Sequence, residues 1–354
     1  MVSLQTNPNM SNGCIFELKC PNSYNSYPRI TEIAKMPDHV RATLNVLWER
    51  SIHQGRDLQV FARHNVFVAE EGLVFDQDRK LMPESRTYHS DDEIQRSINN
   101  IELLQKSGDI RVLDKAILTK SRGATNYGHS ILEMLPRAWF VRKNLNVPGW
   151  PALIHDSGSD LTTIMQEALS FAGFSGDEVL TSDGAPILVE NLLVVDGLAS
   201  HTQYLSPYVM SFLDEITESI PAAGEDKIYV NRGSNASRDF AEEGVVSSEL
   251  SKLGYVPKFT GHMSFRDQVA AFRGADSIVG VLGAALSNIA FCKPGTEINC
   301  FMPSEACEVL FWMLAERRNL KYHEVRCAEE GPQRGPLPWD RHIRVPIDQL
   351  RKIV

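Results

Sequence analysis

The chain is poor in the features that would decide its function at a glance. It has no run near the ~20 consecutive apolar residues of a membrane span. It has no Gly-x-Gly-x-x-Gly after a predicted strand, no Walker lysine motif and no Gly-x-Ser-x-Gly elbow, which argues against a nicotinamide enzyme, a P-loop nucleotidase and a serine hydrolase. Its six cysteines (Cys14, Cys20, Cys292, Cys300, Cys307, Cys327) form no CxxC pair and no zinc spacing. They read as reduced thiols, with Cys14 and Cys20 the one pair close enough to raise a question. Net positive charge is also missing: the formal charge is −9, which argues against nucleic acid as the main partner. Residues 1–12 are polar and lack the apolar region of a signal peptide, so the expected compartment is the cytoplasm, with peripheral placement at the inner face of the membrane left open.

What remains is an ordinary globular composition, 43% hydrophobic and 23% charged, over 354 residues. That length exceeds what one core usually serves, so two domains are expected. Residues 57–75 read as short β segments and Ser90–Lys106 as a surface helix. Strands are expected at Ala116–Thr119, Ala152–His155, Glu178–Leu180 and Leu192–Val195, with helices at Tyr127–Asn144 and Asp160–Ala172. After a helix at Pro207–Ser219 and a linker at Pro221–Asp226, strands at 227–231, 255–259, 277–281, 297–301 and 322–325 alternate with helices at 242–253, 265–273, 284–291 and 306–319. This alternation implies α/β architecture with parallel sheets and right-handed crossovers. The expected organisation is an irregular arm (1–36), an N-terminal α/β domain (37–205), a connecting helix and linker (206–226) and a Rossmann-like domain (227–330). A tail (331–354) is expected to pack back on the first domain.

Five places carry possible chemistry. Gly283-Ala284-Ala285 lies between a strand end and a helix start, followed by Leu286 and Asn288. Small residues there let a ligand approach the backbone, and a helix N-terminus favours an anion. Small residues serve plain helix–strand packing equally well, and Asn288 could bind a ligand or tie a loop. Arg232 and Arg238 follow the first strand of the second half, where guanidinium groups suit a diphosphate as readily as a solvated loop. His129 and Glu133 share a helix face at i, i+4 and could form a general base with its orienting carboxylate, or His129 could simply satisfy a local hydrogen bond. Pro136 falls in the same helix and should kink it. Glu305, at a strand C-terminal edge, could accept ribose hydroxyls or serve only as a first-turn helix carboxylate. Asp76-Gln-Asp78 resembles a metal–nucleotide motif but falls at a polar turn, and no cluster reads as a metal site, so neither a metal nor another cofactor is expected.

Four ordered blocks resemble glycosyltransferase family 61, whose bacterial members are often described as capsular polysaccharide biosynthesis proteins. They are Asn126-Tyr127-Gly128-His129 with Leu135-Pro136-Arg137; Tyr229-Val230-Asn231-Arg232 with Arg238; Leu253-Gly254-Tyr255 with Ser264-Phe265 and Gln268; and Ala275-Asp276 through Gly283-Ala284-Ala285-Leu286, Asn288, Phe291 and Pro294-Gly295-Thr296. The resemblance implies a GT-B architecture, two Rossmann-like domains facing a cleft. It also implies an inverting, metal-independent transfer from a nucleotide-sugar, commonly a UDP-sugar, to a glycan or lipid-linked glycan. Carried over by position, Arg232, Arg238 and the Gly283–Leu286 segment would hold the donor, and His129, with Asn126, Tyr127 and Arg137, would face the acceptor. A homodimer is compatible with these features. One departure stands out: where the family often has His before Gly-Ala, this chain has Leu282. That substitution keeps an alternative open, a non-catalytic nucleotide-sugar or glycan-binding protein.

Overall fold

The computed structural model describes residues 13–231 and 238–352. It is a mixed α/β protein that divides into two compact units.

The first unit comprises the chain up to Pro21 and then Gln54–Ile216. Its sheet runs in the order Cys14–Lys19, Asp57–Ala69, Ile187–Asp196, Arg111–Leu118, Ala152–His155, Val179–Ser182, with Leu73–Phe75 paired beside Asp57–Ala69. The last four strands of that order are mutually parallel, and the Cys14–Lys19 and Asp57–Ala69 strands add antiparallel pairings at the other side. The short segments expected over 57–75 thus become one 13-residue strand, Asp57–Ala69, and the separate strand Leu73–Phe75. Its β-branched and aromatic residues fit a pleated surface, and Val66, Phe67 and Val68 are all buried. The expected surface helix forms over Asp91–Ser107, and its start is fixed by a capping box between Ser90 and Glu93.

The second unit comprises Asn22–His53 and Thr217–Val354. Strands Val256–Lys258, Lys227–Val230, Ser277–Val281, Glu297–Pro303 and Lys321–Glu330 lie side by side in parallel, as the alternation implied.

Two expected boundaries are corrected. Residues 22–53 are neither arm nor first domain. The strand Arg29–Thr31 pairs in parallel with His323–Val325. Helix Asp38–Trp48 places Trp48 beside Arg326, whose guanidinium carbon lies 5.8 Å from the ring centroid. The polar composition of this stretch hid the apolar stripe of Val40, Leu44 and Trp48, which the second unit buries. The tail, expected on the first domain, also belongs to the second unit: His342–Arg344 pairs antiparallel with Ala328–Glu330. Ile343, Val345 and Leu350 join Tyr229, Val279, Phe301 and Val325 in one core, which is the apolar burial that draws the tail there.

Two helices of the second unit also differ from expectation. Ala284–Phe291 is a 3-10 helix rather than an α-helix. The Asn288 amide donates to the Ala285 carbonyl, 3.1 Å away, which is the acceptor an α-helical Ile289 N–H would use. The helix expected from Ala306 begins only at Leu310. Upstream, the Glu305 N–H donates to Glu329 at 2.8 Å and Ser304 N–H to the Cys327 carbonyl at 2.8 Å, so this backbone is tied to the neighbouring strand instead.

All six cysteines are free thiols, Cys14 and Cys20 included. Among the described residues no helix is long and apolar enough to cross a membrane.

Candidate active site

The polar groups of the first unit gather past the C-terminal ends of its parallel strands, where open α/β sheets place their ligands. Arg111–Leu118 leads into Lys120 and a turn at Gly123, and helix Tyr127–His129 begins with Asn126 as its cap. The Asn126 side chain accepts from the N–H groups of Gly128 and His129, at 2.9 and 3.4 Å. That cap is satisfied within the loop, so Asn126 is a structural anchor for His129.

Beyond His129 the helix widens. Residues Ser130–Met134 form a π-turn, and an α-helix resumes at Leu135. Pro136 explains the widening: it has no N–H to give and its ring would crowd the carbonyl four residues back. An extra residue in the turn relieves both problems, so the expected kink is a π-bulge. The bulge still leaves Glu133 within reach of His129, with 2.8 Å between His129 Nδ1 and Glu133 Oε1.

A second imidazole arrives from elsewhere. After strand Ile187–Asp196 the chain forms a small hairpin, Ala199–Ser200 against Tyr204–Leu205, and His201 sits in its turn. His201 Nδ1 lies 3.0 Å from the same Glu133 Oε1. The two rings are 4.7 Å apart between centroids and tilted by 43°. Sequence reading missed His201, 68 residues from its partner, because only the fold brings it there. A lone His in a polar hairpin carries no local signal.

Glu133 is 7% exposed while each histidine keeps about a quarter of its side chain accessible. Burial by itself would raise the Glu133 pKa. The hydrogen bonds and charge of the two imidazoles outweigh it and hold the carboxyl at about 2. Glu133 is therefore ionised at working pH and can only accept, so it is the Nδ1–H of each ring that donates to it. The histidine and carboxylate atoms lie within 4.8 Å of one another, close enough to consider a cation. Two N–H donors on one carboxylate oxygen account for the same distances.

Packing fixes the arrangement. Gly123 has φ +90°, and a Cβ added there would stand 3.0 Å from His129 Cδ2, so this position demands glycine on both counts. Arg137 donates to the carbonyls of Glu133 (3.0 Å) and Lys120 (3.4 Å) and to Ser121 Oγ (3.3 Å). It rivets the turn to the helix, and burial lowers its pKa despite nearby Asp196 and Glu133. Lys120 is fully buried, donating to the Glu70 carbonyl at 2.8 Å and Ser182 Oγ at 2.7 Å, and burial pushes its pKa down to about 7. Tyr127 is partly exposed beside this cluster.

The second unit presents a different edge. Strand Ser277–Val281 ends at Leu282, which is buried and donates its N–H to the Phe301 carbonyl at 3.1 Å. Gly283 is in extended conformation, so backbone strain does not require glycine there. Ala284 and Ala285 are partly exposed. Leu286 and Asn288 are fully buried. A Cβ on Gly280 would meet Leu286 at 3.0 Å, and Asn288 donates to Gln268 Oε1 at 2.9 Å, so both residues lock the 3-10 helix to its neighbours.

Arg238 forms an ion pair with Asp340 of the tail, 3.3 Å from Nε to Oδ1, and burial lowers its pKa. Arg232 lies outside the described residues. Glu305 stands beside Glu329, to which its own backbone is bonded. Asp76 is a turn former, accepting from the N–H groups of Asp78 and Lys80 at 2.9 Å each.

Residues 127–299 match the Glycosyltransferase 61 family model, a span just under half of the chain that takes in His129, Glu133, His201, Arg238 and the Gly283 turn. A β-1,2-xylosyltransferase of Arabidopsis thaliana is 34% identical over 84 residues, which is 23% of this chain and 16% of that protein. The chain therefore spans only a small part of that relative's length. Both matches are to glycosyltransferases.

Proposed function

We propose that the chain is an inverting glycosyltransferase of GT-B type that moves a sugar from a nucleotide-sugar, a UDP-sugar by preference, to a glycan hydroxyl, in surface polysaccharide assembly. Inversion takes one displacement at the anomeric carbon. The acceptor O–H proton passes to His129 Nε2 as the acceptor oxygen bonds to that carbon. The bond from the carbon to the phosphate oxygen breaks, and the nucleoside diphosphate leaves with the electron pair. Glu133 fixes the Nδ1–H tautomer and stabilises the imidazolium that forms. Arg232, Arg238 and the Gly283–Ala285 backbone offset the charge of the departing diphosphate, without a metal ion.

The observation that carries this reading is the buried, ionised Glu133 bonded at 2.8 Å to His129 at a strand-end edge, within the stretch that matches the family. Leu282 favours a second reading, a binding protein without turnover, because a buried leucine cannot donate to phosphate.

Calorimetry and thermal shift against UDP, GDP, CDP, CMP and TDP, without added metal, test donor binding. One nucleoside diphosphate at ~100 times its dissociation constant should stabilise the fold by about 2.7 kcal/mol. Arg238→Ala should lose most of that shift. Binding with no transfer or slow hydrolysis of any nucleotide-sugar would favour the second reading, and no binding at all would count against both.

A further inference from the structure

We infer that His201 is a positioning residue of the same site, the second of two imidazoles that share Glu133 and thereby keep His129 ready to accept a proton. The inference rests on the transferase reading above and names a residue that reading does not use.

The geometry leaves little freedom. Glu133 Oε1 receives His129 Nδ1 at 2.8 Å and His201 Nδ1 at 3.0 Å. Two donors from different segments, the widened helix and the hairpin turn, hold that oxygen from two directions. A buried carboxylate with one donor can swing about its terminal torsion, which is broad for this side chain. With two donors on Oε1, both lone-pair directions of that oxygen are used and its position is set.

The pair also limits how many protons the site can carry. Both rings face one carboxylate, and their centroids are 4.7 Å apart. Two imidazolium ions at that distance repel, and one carboxylate cannot neutralise both. Arg137 adds positive charge nearby, through its Nε bond to the Glu133 carbonyl. His201 serves Glu133 as a donor, which leaves His129 as the ring that takes the proton from the acceptor hydroxyl.

Three substitutions read this out: His129→Ala, His201→Ala and His201→Asn. Asparagine places an N–H₂ close to where Nδ1 of histidine stands, so it keeps the donor and removes the titrating ring. The substrate probe is UDP released from UDP-xylose and from a panel of other UDP-sugars, measured between pH 5 and 9. His201→Ala should lower kcat/KM on the order of tenfold at neutral pH, the scale of losing an orienting hydrogen bond. His201→Asn should restore most of the neutral-pH rate. A fold check by circular dichroism accompanies each variant.

The outcomes separate the two ideas. If His129→Ala is as active as wild type, the base assignment fails and the role of His201 fails with it. If His129→Ala is inactive but His201→Ala keeps the rate, or His201→Asn restores none of a lost rate, only the inference is overturned. Elemental analysis of the purified protein provides an independent check. A stoichiometric cation that disappears in His201→Ala would overturn the inference too, because the two Nδ1 atoms would then be ligands instead of donors.

Discussion

The strand-end edges of the two units are built from opposite materials. In the first unit the edge is crowded with ionisable side chains, Lys120, His129, Glu133, Arg137 and His201, each held by named hydrogen bonds. In the second unit the edge after Ser277–Val281 is small and apolar: Gly280, Leu282, Gly283, Ala284 and Ala285, closing on the buried Leu286. Titrating chemistry requires desolvated, oriented polar groups, and those exist at the first edge. Close approach of a backbone requires missing side chains, and those exist at the second. The contrast fits a division between proton transfer and donor binding, which substitutions at each edge can break or sharpen.

The largest effect is expected at the first edge. Glu133→Gln removes the charge that holds both imidazoles, and turnover should fall by about 10²–10⁴ as the base loses its tautomer and its counter-ion. The same change has a stability signature with a definite sign. The carboxyl pKa is depressed in the fold, from 4.5 to about 2. Its contribution, about 3 kcal/mol from that shift, is therefore present above pH ~4.5 and lost as the pH falls toward 2. Urea midpoints of wild type and Glu133→Gln should differ at pH 6 and converge near pH 2. A gap that stays constant with pH would show that the carboxylate is not ionised through its imidazole partners.

Next comes the packing of the second edge. Gly280→Val should destabilise by about 1–3 kcal/mol through overpacking against Leu286 and Val230. It should weaken nucleoside diphosphate binding and leave the histidine NMR tautomer signals of the first edge unchanged. A smaller change is expected from Gly123→Ala. Strain at φ +90° together with the 3.0 Å approach to the His129 ring should cost about 1 kcal/mol and roughly tenfold in turnover. If Gly123→Ala lowered stability without touching turnover, His129 would not need the placement that this glycine permits.

Most of the parallel elements were legible in the sequence because each is locally encoded. Ala152–His155, Pro207–Ser219 and Ser277–Val281 match their expected bounds, as apolar runs between turn residues should. The boundaries that failed depend on distant partners. Helix Asp38–Trp48 and the strand at His342–Arg344 join the second unit through side chains that only its core reveals. His129 and Glu133 were legible because one helix face carries both. His201 was not, since its link to Glu133 crosses 68 residues. The burial of Leu286 and Asn288 was not legible, because spacing shows that residues are near a turn without showing which way they face. The π-bulge was half legible: Pro136 signalled a distortion, and the structure shows its form.

The measurement that tests the central claim most directly is nucleoside diphosphate release from a panel of nucleotide-sugars, by wild type and by His129→Ala, with diphosphate binding measured on both by calorimetry. The account expects turnover of one donor class by wild type, a loss of about 10²–10⁴ in His129→Ala, and equal binding by the two proteins. Near-wild-type turnover by His129→Ala with binding unchanged would contradict it.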